Sequence, residues 1–166
     1  MKQPRAVLDE EILVEHGTFS LIDPDVDYWR SEPDFTDDAV ITIDERRIWC
    51  YSAGNDHYAT VRVELWDNPP PPAVPRYDAH VQHEVTFLGR RLCLATTVGG
   101  PAVHHLADTS SGIQPGIRYL DLPSRGPFML EVLVAGREQA AELDEATWAH
   151  GIEAWHIRIW PRASGL

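Results

Sequence analysis

Apolar and polar residues alternate with a period of two along much of the chain. Residues 59–66 (ATVRVELW) set Val61, Val63 and Leu65 on one face and Arg62, Glu64 and Trp66 on the other. Residues 79–87 (AHVQHEVTF) set Val81 opposite Gln82 and Val85 opposite Glu84. Residues 127–135 line up Phe128, Leu130, Val132 and Val134, and residues 152–160 line up Trp155, Ile157 and Ile159 against His156 and Arg158. Successive side chains of a strand point to opposite sides, so this is the pattern of half-buried strands. Further strands are expected over 5–14, 18–22, 48–51, 91–95 and 117–122. Between the runs fall Gly54-Asn55, Asn68 with four prolines, Gly89, Gly99-Gly100-Pro101, Ser111-Gly112 and residues 124–127. Such spacing predicts a mainly β fold: an antiparallel β-sandwich of about eight to ten strands.

One short helix is expected near the C-terminus, within residues 137–150. Asp144 would cap its second part and Gly151 would stop it. A second short turn is expected from Thr36. Residues 68–75 (NPPPPAVP) read as a stiff polyproline crossover between two strands.

The chain has 166 residues, a length that suits one domain over 1–166. No apolar run approaches the roughly 18–20 residues that span a bilayer, and residues 1–17 lack a signal-type apolar stretch. The expectation is a soluble, cytoplasmic protein with no membrane partner. Cys50 and Cys93 lie in apolar surroundings and read as buried free thiols, without a CxxC pair.

Charge changes the picture more than composition does. The net charge is −12. Residues 9–45 hold thirteen acids against the single base Arg30, while the rest of the chain holds thirteen acids and thirteen bases. A concentrated negative field attracts basic surfaces and speeds their encounter. It argues against direct nucleic-acid binding, which needs a basic footprint. Trp29 lies inside the acidic stretch, between Asp27 and Arg30, and an aromatic within a charged rim is the composition of a protein-binding hot spot.

Candidate chemistry is sparse. Asp23-Pro-Asp25-Val-Asp27 has the alternate carboxylates that open many calcium loops, but an EF-hand needs Gly at position six and Glu at position twelve. This chain has Tyr28 and Asp34 there. His80 and His83 would point to opposite faces of one strand, and His104 and His105 face the same difficulty. Patterns of the HExxH, GxSxG, GxGxxG and Walker types are absent. No catalytic residue, metal or cofactor is assigned, and the reading leans away from an enzyme. Two alternatives stay open. One is a sandwich binding a sugar-like ligand or calcium through Asp23, Asp25 and Asp27. The other is a metal-assisted enzyme whose histidines converge in the fold, for example His83 with Glu84, His57 or His105.

The order PDFTDDA (33–39), ATVRVELW (59–66) and HIRIWP (156–161), with EHGTFSLID (15–23) near the start, resembles the competence protein J family. The chain departs from that pattern after Ala39, which leads into VITIDERRIW, and at the NPPPP insert. The resemblance implies a small bacterial protein that binds and inhibits a DNA-entry nuclease, or an immunity-type relative. It agrees with the charge argument, since carboxylates can occupy a basic groove built for phosphates. The expected partner is a basic protein such as a nuclease. The expected contact residues are Asp25, Asp27, Glu32, Asp34, Asp37 and Asp38, with Trp29 as anchor.

Overall fold

The alternating segments form strands, and the computed structural model stacks them in two sheets. It describes residues 2–35, 38–74, 76–102, 104–108 and 112–163; of residues 104–108 and 112–115 it describes the backbone. The strands are β1 (Ala6–Val14), β2 (Thr18–Ile22), β3 (Ile41–Ile43), β4 (Arg47–Tyr51), β5 (His57–Leu65), β6 (Ala79–Phe87), β7 (Arg91–Thr96), β8 (Gly100–Pro101), β9 (His104–Asp108), β10 (Gly112–Gly116), β11 (Leu120–Asp121), β12 (Gly126–Ala135) and β13 (His150–Pro161). The first sheet has the order β1-β5-β13-β12-β6 and the second β11-β7-β2-β4-β3, with β8 beside β7. Among the described residues, strands β9 and β10 pair only with each other. All neighbours are antiparallel except β5 and β13, which run parallel.

The core lies between the sheets. Val61, Val63 and Leu65, Leu130 and Val132, and Trp155, Ile157 and Ile159 meet Phe19, Leu21, Ile48, Cys50, Leu92 and Leu94 of the second sheet. Phe19 and Trp155 meet edge to face, with centroids 5.0 Å apart. Each large side chain buried this way stabilises the fold by roughly 1.5–3 kcal/mol. Cys50 is part of this core and Cys93 lies on the outer side of the second sheet; both are free and buried. Burial pushes both thiols up, Cys93 to about 12. The proline-rich link leaves β5 and crosses the outer face of β13 and β12 to reach β6. Arg158 of β13 donates to the Pro71 carbonyl at 2.7 Å, which fixes the crossing.

The helix is shorter than the sequence predicts: α1 covers only Arg137–Ala141. Residues 141–148 are almost wholly exposed and offer no apolar stripe for a helix to bury. Ala146 and Trp148 instead adopt φ of 56° and 54°. Their N–H groups donate to the Asp56 carboxylate at 3.2 Å and the Asp56 carbonyl at 3.0 Å. Tertiary hydrogen bonds outweigh helix propensity here, and Asp144 caps nothing. The expected turn from Thr36 begins outside the described residues. Among the described residues no helix is long and apolar enough to cross a membrane.

One end of the sandwich is tied by buried polar groups. Glu153 and His57 have no exposed surface. The Glu153 carboxylate accepts from Trp155 Nε1 at 2.8 Å, the Ala53 N–H at 3.1 Å and Arg137 at 3.5 Å. His57 Nε2 lies 2.9 Å from the Ser52 hydroxyl, while its Nδ1 has no partner among the described residues. Burial holds the imidazole below its usual value against the pull of Glu153. Gly136 enters α1 with φ of 82°, and a Cβ there would stand 1.9 Å from the Ile152 carbonyl oxygen.

Two outcomes are expected from this end of the fold. Gly136→Ala should destabilise by about 2–4 kcal/mol, through left-handed strain plus a backbone clash, as read by urea unfolding. A neutral buried imidazole binds fewer protons than the same group in the unfolded chain, so its contribution falls as pH drops below the unfolded value. Between about pH 7 and pH 5.5 the wild type should therefore lose more stability than His57→Asn. Equal slopes would mean that His57 does not titrate with unfolding.

Candidate protein-binding face

Residues 23–35 cross the outer side of the second sheet, and each step of the path has an anchor. Asp23 turns the chain out of β2. Its carboxylate accepts from the Asp25 N–H at 2.8 Å and the Arg91 N–H at 3.1 Å. It lies directly over Gly89, where a Cβ would come within 1.7 Å of Oδ2, so the turn between β6 and β7 needs glycine. Tyr28–Arg30 then form one 3-10 turn. Successive residues of such a turn point in different directions, and here Tyr28 is buried while Trp29 is exposed.

Tyr28 is buried against Ile22, Cys93, Ala95 and Ile117. Arg47 is buried beside it, with its guanidinium carbon 3.8 Å from the Trp49 ring centroid and 5.6 Å from that of Tyr28. Arg47 Nε donates to the Ser20 hydroxyl at 2.8 Å. Burial lowers the Arg47 pKa and raises that of Tyr28. Further along, Trp49 Nε1 donates to the Ser31 hydroxyl at 2.9 Å, and that hydroxyl bonds to Asp44. The Asp34 N–H donates to the Tyr51 hydroxyl at 2.8 Å, and the Phe35 ring meets Tyr51 edge on.

Trp29 is 60% exposed. It rests on the Tyr28 ring with centroids 4.6 Å apart and leans on Gly100. Around it the carboxylates differ. Asp25 takes two hydrogen bonds from the Arg91 fork, at 2.7 and 2.8 Å, and these hold its carboxyl below the usual range. Asp27 pairs with Arg30 at 2.8 Å. Glu32, Asp34 and Asp38 are exposed. Asp37 lies outside the described residues. Asp23 and Asp25 thus bind the backbone and the side chain of Arg91, and Asp27 binds Arg30. Among the described residues no group of three His, Cys, Asp or Glu could hold a metal ion.

The acidic run of the sequence does not fold into one patch. Asp9 and Glu11 of β1 face outward on the first sheet, where Asp9 pairs with Arg62 at 2.7 Å and Glu11 with His150 at 2.8 Å. On that face lies an open groove of about 670 Å³, lined among others by Asp9, Thr60, Arg62, Arg76, Tyr77 and His156. Its floor is a row of small residues in register across three strands: Ala135, Ala154 and Thr60. Tyr77 bonds to His156 at 3.2 Å, and His156 meets Glu64 at 3.0 Å. Burial pushes the Glu64 carboxyl up, but Arg62, His156 and Trp66 outweigh it and hold it low. The sequence places Arg62 and His156 on outer faces, yet nothing in it brings Arg76 and Tyr77 beside them.

Ser52 and His57 meet as a nucleophile and base would. The resemblance to a triad ends there, because Glu153 bonds to Trp155 and Ala53, and among the described residues His57 Nδ1 has no hydrogen-bond partner.

No family model and no curated sequence matches the chain. Two solved structures share its fold. One is ComJ from Bacillus subtilis, described as an inhibitor of the DNA-degrading activity of NucA; it is 13% identical, covers 98% of this chain and 99% of its own, and has a TM-score of 0.58. The other is the crocagin biosynthetic protein J, also 13% identical with a TM-score of 0.58, covering 95% of this chain and 97% of its own. The chain is therefore similar, over nearly its whole length, to a nuclease inhibitor and to a protein of a biosynthetic system.

Proposed function

We propose that this chain is a non-enzymatic binding module that docks a basic protein, such as a nuclease, on the outer side of its second sheet. The observation that carries the reading is Trp29. It is a large exposed indole, held from below by Tyr28 and Gly100, among carboxylates on an anchored segment. Buried aromatic anchors dominate binding energy, and surrounding charge sets the encounter rate. Likeness to an inhibitor of a DNA-degrading enzyme supports this choice of partner. The fold alone does not decide it, since one architecture hosts unrelated functions.

The contact residues carry unequal weight in this reading. Asp25 and Asp27 already have arginine partners, so a basic partner would gain less from them. Glu32 and Asp38 are exposed, and Asp34 and Asp37 complete the proposed contact set. Lysate capture should retain a basic protein on the wild type and release it at high salt, where screening extends over only about 3 Å at 1 M. Changing Glu32, Asp34, Asp37 and Asp38 to their amides should slow association most at low salt. Trp29→Ala should speed dissociation at every salt concentration. The captured protein's DNase activity, assayed with and without the bait, tests inhibition directly. Identical capture by wild type and both variants would sink the reading.

The groove on the first sheet favours a second reading, a small neutral ligand of the sugar type. Its volume lies within the roughly 300–1,000 Å³ of ligand sites. Its outward charges balance: Asp9 and Glu11 against Arg62 and Arg76. A balanced lining of planar donors and acceptors beside Tyr77 suits hydroxyls more than a net charge. A panel of neutral mono- and disaccharides, titrated by NMR, should give saturable shifts in the wild type that vanish in Ala154→Trp. Absence of shifts across the panel would reject this reading.

A further inference from the structure

Strand β6 is a nine-residue strand at the end of its sheet, paired with β12 on one side and with no described strand on the other. Among the described strands it is a long open edge, as long as β1 at the other end of the sheet. In the second sheet the outermost strands, β3 and β11, have three and two residues. On β1, at the far end of the first sheet, Arg118 bonds to the Asp9 carbonyl at 3.2 Å. Unpaired N–H and C=O groups along a flat edge are a template for another strand, and folded proteins shorten, cover or charge such edges. Here β6 is neither short nor interrupted by proline.

The neighbourhood of β6 is also incomplete. It borders a groove of about 430 Å³ between the two sheets, where Val40, Ile41 and Ile43 face Val81 and His83. The apolar layer thus reaches the side of the sandwich without a cover.

We propose that β6 pairs antiparallel with β6 of a second copy of this chain, about a two-fold axis at Gln82. Residues directly opposite in an antiparallel pair lie on the same face, so the paired numbers must share parity. A register centred on Gln82 satisfies this and sets His80 of each copy opposite Glu84 of the other. Each of these already has a charged neighbour: His80 meets Glu131 at 2.8 Å, and Glu84 meets Arg162 at 2.6 Å. The outer face of the junction then carries acid, imidazole, acid and guanidinium in alternation, twice by symmetry. On the inner face, Val81 of one copy meets His83 of the other and Ala79 meets Val85, which extends the apolar layer across the groove. Registers centred on Val81 or His83 lose the His80–Glu84 match. The junction lies on the first sheet, apart from the Trp29 face on the second, so it stands or falls independently of the proposed partner.

Single cysteines in the full-length chain test the register, since the native thiols are buried. Gln82, His80 and Glu84 are exposed, so Gln82→Cys, His80→Cys and Glu84→Cys should fold. With a short bismaleimide, Gln82→Cys should couple to itself about tenfold faster than an Asp144→Cys control on the exposed loop, as pairing raises effective concentration. An equimolar mixture of His80→Cys and Glu84→Cys should couple faster than either alone. Light scattering of the wild type should give the mass of a dimer, and Gln82→Pro, which removes an edge donor, should return it to a monomer. Coupling at Gln82 no faster than the control would overturn the proposal and leave the edge to a different polypeptide. Faster coupling of His80→Cys with itself would overturn the register.

Discussion

A buried guanidinium holds the candidate face together. Arg47 lies on the outer side of the second sheet, flat against Trp49 and beside Tyr28, with Ser20 as a hydrogen-bond partner. Its charge is taken from water, and burial lowers its pKa. Aromatic faces offset that desolvation by meeting the cation with their negative quadrupole. Tyr28 cannot leave without exposing both the guanidinium and the apolar patch around Cys93. The turn at Tyr28 therefore follows the position of one arginine, while Asp23, Ser31 and Asp34 hold the rest of the segment. Trp29 is exposed because its neighbour is committed to the layer below.

The same arrangement tempers the charge argument. An acidic run in sequence is a line, whereas a field acts from a surface. Folding sends Asp9 and Glu11 to one side of the sandwich and Asp25, Asp27, Glu32 and Asp34 to the other, and supplies arginine partners to Asp9, Asp25 and Asp27. Negative charge remains in excess, but the accessible part around Trp29 narrows to a few carboxylates. Affinity at such a face would come from the indole, and charge would chiefly set rate and selectivity.

Much of the architecture was legible in the sequence, because a period of two survives in any strand with one buried face. β1, β2, β5, β6, β12 and β13 fall where alternation places them. β3 and β8 have three and two residues, too few for a period to declare itself. The helix was overextended because composition between Glu142 and Trp148 favours helix while Asp56, some ninety positions away, captures the N–H groups of Ala146 and Trp148. At the candidate face the sequence marked the acids and the tryptophan but not which acids are paired, since Arg91 is remote from Asp25 in the chain. The groove was illegible for the same reason: its walls come from β1, β5, β13 and the proline-rich link.

Strand β13 lies between β5 and β12, at the centre of its sheet. It is also the last of the described strands to leave the ribosome. Until residues 150–161 emerge, β5 and β12 each present an open edge that no earlier part of the chain can close. Sheet completion is thus a late event of long sequence separation, the kind that folds slowly. Until β13 docks, two sticky edges stay open to neighbouring molecules, so aggregation competes with folding at this step.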